Sequence, residues 1–206
     1  TAMWVDPAGG GKDKFAFAIA SSLNGYVHLQ HVEGLDGGPS EENFNRIAKA
    51  AYDFRVRHAY CERNFGGNAY ANLLQISLNR LIRQAGDKEC PEGWGCSVET
   101  MHSSGQKELR IIDSLDSILK SHRLVVSRAV VAQHAFQYQL THITSNRKAL
   151  QHDDEIEAVA MLVRELAATT VIDPLRADAE KRERKIDEFI RKHARNAPVT
   201  WLRQKV

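Results

Sequence analysis

The chain has 206 residues, 43% hydrophobic and 26% charged, with a formal net charge of +2. That length suffices for one domain with its own core, or a domain with an appendage, and the charge is too small to argue nucleic-acid binding by itself. No apolar run approaches the ~20 residues that span a bilayer, and the opening Thr-Ala-Met-Trp-Val-Asp has neither the basic nor the apolar region of a signal peptide.

Residues 3–5 form a short apolar run ending in Asp6-Pro7, followed by the loop Ala8-Gly9-Gly10-Gly11-Lys12. A strand pattern that starts at once is what a domain excised from a longer protein would show. Residues 15–19 and 26–32 read as strands joined by Asn24-Gly25, a strong hairpin signal, so the opening is an antiparallel three-stranded meander. Ser40 followed by Glu41 and Glu42 caps a helix to about residue 56, with Phe44, Ile47, Ala48, Ala51 and Phe54 on one face. A short strand at 59–62 breaks into Asn64-Phe65-Gly66-Gly67-Asn68, and a second helix runs from 69 to 85 and stops at Gly86.

Beyond an irregular stretch, residues 97–101 read as a strand, 109–119 as a helix, 124–131 as a β-branched strand and 134–142 as a short helix. From Asp153 the pattern Ile156, Val159, Ala160, Val163, Leu166, Ala167 is an amphipathic helix. Charged residues of both signs dominate 176–195, giving a domain over 1–172 and a charged helical tail over 173–206. Strands first, then alternating helices and strands, indicate an α/β fold with one mixed sheet flanked by helices.

Three cysteines, Cys61, Cys90 and Cys96, suit a reduced intracellular protein. Cys90, Cys96 and His102 match no standard zinc spacing and lack a fourth ligand. Gly9-Gly10-Gly11-Lys12 fails as a phosphate loop. The Walker pattern needs glycine and Ser/Thr where this chain has Asp6 and Asp13, so no ATPase motif is present.

The informative residues are isolated acids. Asp6 ends the first strand, Glu62 ends a later strand before a glycine-rich break, and Asp153 and Asp154 open the amphipathic helix. Each has an ordinary reading: Asp-Pro opens turns, an aspartate caps a helix, and a glutamate at a strand end is solvated. Brought together they would repel one another unless a hard divalent cation neutralised them. At 100° per residue Asp153 lies nearer the apolar face and Asp154 shares a face with Glu157. Either aspartate, or both, can be a ligand.

Three blocks carry a family resemblance: Val5-Asp6-Pro7-Ala8-Gly9-Gly10-Gly11-Lys12-Asp13-Lys14, Glu62-Arg63-Asn64-Phe65-Gly66-Gly67, and His152-Asp153-Asp154-Glu155-Ile156-Glu157-Ala158. Together they resemble the nuclease domain of tailed-phage large terminase subunits, the short-tailed phage type in particular. The resemblance implies a ribonuclease H-like fold and cleavage of both strands of concatemeric viral DNA, dependent on Mg²⁺ or Mn²⁺ and using two ions. It places metal on Asp6, Glu62 and an acid of the third block. Asp153 and Asp154 rank ahead of Glu157, where many relatives carry a second aspartate.

It also implies an ATPase motor domain outside this chain, a portal ring and small terminase subunit as partners, and action in the host cell cytoplasm. Contacts to double-stranded DNA fall to Lys12, Lys14, Arg63 and Asn64, within a wider basic rim that includes Asn68, Lys107, Arg110, Arg128 and Arg147. Two alternatives fit the same acids: a Holliday-junction resolvase or transposase-type nuclease, and a non-catalytic module that docks on the portal.

Overall fold

The computed structural model describes residues 1–7, 13–64, 66–89, 93–148 and 150–169. The glycine loop with Lys12, Cys90 and the charged tail therefore lie outside the described residues. The elements in order are β1 (Ala2–Asp6), β2 (Phe15–Leu23), β3 (Tyr26–Leu35), α1 (Glu41–Asp53), β4 (His58–Glu62), α2 (Ala69–Glu89), β5 (Ser97–Met101), α3 (Lys107–Lys120), β6 (Leu124–Val126), α4 (Arg128–Val131), α5 (His134–His142) and α6 (Asp154–Thr169). Among the described residues no helix is long and apolar enough to cross a membrane.

The six strands form one sheet in the order β5-β4-β1-β2-β3-β6. β1, β2 and β3 are antiparallel neighbours, while β4 pairs parallel with both β1 and β5, and β6 parallel with β3. The expected hairpin turns on Asn24 and Gly25, whose φ angles of 53° and 81° suit a two-residue turn with both centres left-handed.

Strand alternation sorts the side chains onto two faces. Met3, Val5, Phe15, Phe17, Ile19, Ala59 and Cys61 pack with Phe44, Ile47, Ala48 and Ala51 of α1 and Leu74 and Leu78 of α2. Ala2, Trp4, Ala16, Ala18 and Ala20 pack on the other face with Ile111, Leu115 and Ile118 of α3 and with α6. The stripe of three alanines on β2 lets α6 lie close against the sheet. A bulge near Ile19/Ala20 shifts the register of β2 on β3; beyond it Val32 faces α6 and Leu35 faces α1.

Three expectations change. α2 continues through Gly86 to Glu89, because one helical glycine costs only about 1 kcal/mol. The strand expected over 124–131 ends at Val126, because the Ser127 hydroxyl accepts from Val130 N at 3.4 Å and caps the short helix α4. α6 is not amphipathic in its first turns: residues 154–163 are all buried, with the sheet on one side and α3 and α5 on the other. Its polar positions Asp154, Glu155 and Glu157 point into the protein.

One of them explains Gly34 on β3. A Cβ there would stand 2.5 Å from Glu155 Oε1 and 2.9 Å from Lys14 Cδ. The Gln139 amide donates to the other carboxylate oxygen, Oε2, so the Glu155 side chain cannot retreat freely. Gly34→Ala is expected to lower unfolding free energy by about 1–3 kcal/mol, measured by urea denaturation; a change within error would show that Glu155 yields.

Candidate metal centre

Parity along two parallel strands builds the site. Ala2 and Trp4 face α6, so Asp6 continues the same face at the end of β1. On β4, Ala59 and Cys61 face α1 and α2, which turns Tyr60 and Glu62 towards α6. Val5 pairs with Cys61, so Asp6 and Glu62 follow side by side at the carboxyl ends of adjacent strands. Functional groups of open α/β sheets collect at such strand ends.

The third carboxylate comes from α6. Ligand oxygens of Asp6, Glu62 and Glu157 all lie within 4.8 Å of one another. Asp153 and Asp154 are not in that group. Asp153 precedes α6 in the capping position, its carbonyl accepting from Glu157 N at 2.9 Å and its carboxylate 2.7 Å from Lys107 Nζ. Asp154 is buried and accepts from the backbone N–H of Lys14 at 3.0 Å, which ties α6 to the start of β2. The sequence ranking of third-block acids thus differs from the geometry, which groups Glu157 with Asp6 and Glu62.

Electrostatics mark the cluster as one that wants a cation. Burial and the neighbouring charges of Glu157 and Glu62 push the Asp6 carboxyl well above the usual range. The Asp154 carboxyl is also raised, chiefly by burial. Lys107, on the first turn of α3, places Nζ 2.6 Å from Glu157 and 3.6 Å from Asp154. Burial alone would lower its pKa, but Glu157, Asp153 and Asp6 outweigh that and hold it firmly protonated. Arg110, one turn on, donates to the other oxygen of Glu157.

The residues expected to contact DNA are dispersed. Lys14 sends its ammonium to within 3.6 Å of Glu155. The Arg63 side chain is exposed, while its backbone N–H donates to Met101 O at 2.9 Å. Asn64 instead holds a carboxylate: its amide donates to Glu62 Oε1 at 2.6 Å and to Ser103 O at 2.8 Å. Outer groups of this kind fix the orientation of a metal-binding carboxylate. Asn64→Ala is expected to weaken Mn²⁺ binding about 10- to 100-fold, read by calorimetric titration; unchanged affinity would remove that role. Lys107 and Arg110, expected on a DNA-facing rim, turn inward to the acids. The available signal was the acids Glu155 and Glu157 set in an otherwise apolar buried helix.

A sheet with three antiparallel leading strands, flanked by helices and carrying acids at the ends of β1 and β4 and on α6, has the ribonuclease H-like fold. Solved structures agree. The nuclease domain of the large terminase subunit gp2 of bacterial virus Sf6 superposes with a TM-score of 0.56 at 9% identity, covering 79% of this chain and 86% of that one. The large terminase nuclease of thermophilic phage G20c gives 0.52 at 14% identity, covering 82% and 81%.

The family described as Terminase Bacteriophage T7, Ribonuclease H-like domain matches residues 5–124. The chain belongs to this family. The terminase large subunit of Enterobacteria phage T3 is 28% identical over 201 residues, which is 90% of this chain and 32% of that protein. The chain thus spans about a third of the length of the curated relative it matches.

Proposed function

We propose that the domain is a divalent-cation-dependent endonuclease that hydrolyses phosphodiester bonds of double-stranded DNA during viral genome packaging. The observation that carries this reading is the convergence of Asp6, Glu62 and Glu157 oxygens within 4.8 Å. A purely structural domain gains nothing from crowding carboxylates whose charges repel. Hard oxygen donors suit Mg²⁺ or Mn²⁺, and Asp6, Glu62 and Glu157 are the residues that would hold the metal, with Asp154 beside them. Two such ions supply activation of the attacking water and stabilisation of the leaving oxygen.

The protein's own part is preorganisation. β1 and β4 fix two carboxylates side by side and α6 brings the third. Asn64 orients Glu62, and the Lys14 N–H holds Asp154. Lys107 and Arg110 neutralise part of the negative charge that would otherwise turn away a DNA phosphate. Weak sequence preference follows, because backbone contacts do not read bases.

The phage T3 relative is a large terminase subunit, and on that ground we place the domain in a packaging machine acting in the host cytoplasm. Its partners there would be an ATPase motor domain, a portal ring and a small terminase subunit. The test is digestion of supercoiled plasmid with Mn²⁺ or Mg²⁺. Linear and fragmented products are expected, EDTA should abolish them, and unrelated plasmids should be cut alike. Plasmid left intact under every metal would overturn the reading, and strong preference for four-way junctions over duplex would turn it towards a resolvase.

A further inference from the structure

The connection between β5 and α3, residues 102–106, supplies no carboxylate, yet it bonds the holders of two of them. β4 and β5 run parallel and end level, Glu62 beside Met101, and the Arg63 N–H donating to Met101 O carries the ladder one step further. Asn64 then grips both backbone groups of Ser103. Its amide donates to Ser103 O at 2.8 Å, and its side-chain oxygen accepts from Ser103 N at 3.4 Å. The same amide nitrogen reaches Glu62 Oε1 at 2.6 Å, so the Glu62 carboxylate is set by where Ser103 lies. Ser103 is only 4% exposed and has little room to shift.

Two residues on, the same connection reaches another ligand of the cluster. The Arg110 guanidinium donates through Nη1 to Gly105 O at 3.1 Å and through Nη2 to Glu157 Oε1. A rigid planar fork fixes two acceptors relative to each other, which a lysine ammonium on its flexible stem does not. Gln106 completes the attachment: its carbonyl accepts from Arg110 N at 3.1 Å, and its amide donates to Ser145 O at 2.9 Å. The Lys148 N–H donates to Glu108 Oε1 at 2.6 Å, which ties the start of α3 to the segment between α5 and α6.

Gly105 makes this span possible. Its φ of +88° lies where side chains are rarely tolerated, and a Cβ there would meet nothing within 4 Å. Glycine is therefore needed for the backbone bend and not for space. Asp6 and Glu62 sit on strands that pair directly, whereas Glu62 and Glu157 come from a strand and a helix, which share no ladder. Accepting the metal-dependent nuclease reading, we infer that residues 103–105 are a brace that ties Glu62 to Glu157 through Asn64 and Arg110, with Gly105 its positioning residue.

The test compares wild type with Gly105→Ala, Gly105→Asn, Arg110→Lys and Gly37→Ala in the full chain. Gly37, between β3 and α1, is a matched control, because its φ of +84° and open surroundings repeat those of Gly105. Mn²⁺ affinity is read by calorimetric titration, stability by urea denaturation, and duplex cleavage by steady-state kinetics. Gly105→Ala is expected to weaken Mn²⁺ binding and lower kcat about tenfold each, with KM within about twofold. Gly105→Asn, whose side chain tolerates a left-handed backbone, should recover most of both. Arg110→Lys keeps the charge but not the fork, and should match Gly105→Ala in Mn²⁺ affinity. Gly37→Ala should lose urea resistance as Gly105→Ala does, yet bind Mn²⁺ and cleave like wild type. Gly105→Ala and Arg110→Lys that both bind Mn²⁺ within about twofold of wild type overturn the brace, and so does a Gly37→Ala that loses as much affinity. If wild type cleaves nothing, yet Gly105→Ala and Arg110→Lys still lose Mn²⁺ affinity, the nuclease reading falls and the brace stands.

Discussion

Asp6→Asn is expected to eliminate DNA cleavage and, in the absence of metal, to make the protein harder to unfold. Both follow from one site. As the proposed ligand at the end of β1, Asp6 supplies charge that an amide cannot, and the loss should be about a thousandfold or more, on the scale of removing one electrostatic stabiliser from an active site. The same carboxyl is raised well above its ordinary range by burial and by Glu157 and Glu62. An acid raised on folding contributes stability below its unfolded pKa, about 3.9, and that contribution is lost as pH rises through the folded value.

Stability of wild type in EDTA should therefore fall as pH climbs from about 4 upward, the ordinary aspartate range. Asp6→Asn should flatten part of that slope. Asp154, also raised, keeps the remainder. Mn²⁺ should restore stability to wild type, by about 2.7 kcal/mol at a hundredfold excess over Kd, and do little for the variant. Urea titrations across pH with and without Mn²⁺ measure all of this. Cleavage by Asp6→Asn near the wild-type rate would sink the site.

Glu157→Gln and Asp153→Asn should part company. Glu157 shares the oxygen cluster with Asp6 and Glu62, whereas Asp153 immediately precedes α6 and pairs with Lys107 at 2.7 Å. We expect Glu157→Gln to lose about a thousandfold in rate. Asp153→Asn should stay within about tenfold, losing one charge beside Lys107 but keeping the backbone carbonyl that accepts from Glu157 N. Glu157→Gln should also free Lys107 and Arg110 from one partner each, so its Mn²⁺ affinity should drop even where residual cleavage is too slow to follow. Single-turnover rates on a labelled duplex decide the matter. The reverse ranking would return the ligand role to Asp153.

Much of this was legible beforehand. Asn24-Gly25 announced its hairpin, and Asp6 and Glu62 drew notice as lone acids at strand ends. Period-two alternation is enough to turn both to one face. The third block was harder. Two adjacent aspartates at a helix start look like ligands, but capping asks for the same residue type. What separates the roles is that α6 is wrapped by α3 and α5 as well as the sheet, so Glu157 has an inward place that helical periodicity in one segment cannot reveal. Lys107 and Arg110 illustrate the same limit. A cation near the start of a helix reads as surface until tertiary packing brings α6 against it. Gln139 carried no signal either, since an amide in a short helix is ordinary until its partner is known.

The alanines of β2 set a dimension that the chemistry depends on. Ala16 lies opposite Asp6 in the ladder, and Ala18 and Ala20 continue beneath α6. They act as a shim: the height of α6 above the sheet, and with it the gap between Glu157 and the strand-borne pair, is fixed by three methyl groups. Ion sites discriminate among cations by spans of tenths of an ångström, near 2.1 Å for Mg²⁺ against 2.3–2.6 Å for Ca²⁺. Retuning the centre for another ion is therefore a task for the floor under the helix, where one added carbon changes the aperture with no carboxylate substituted.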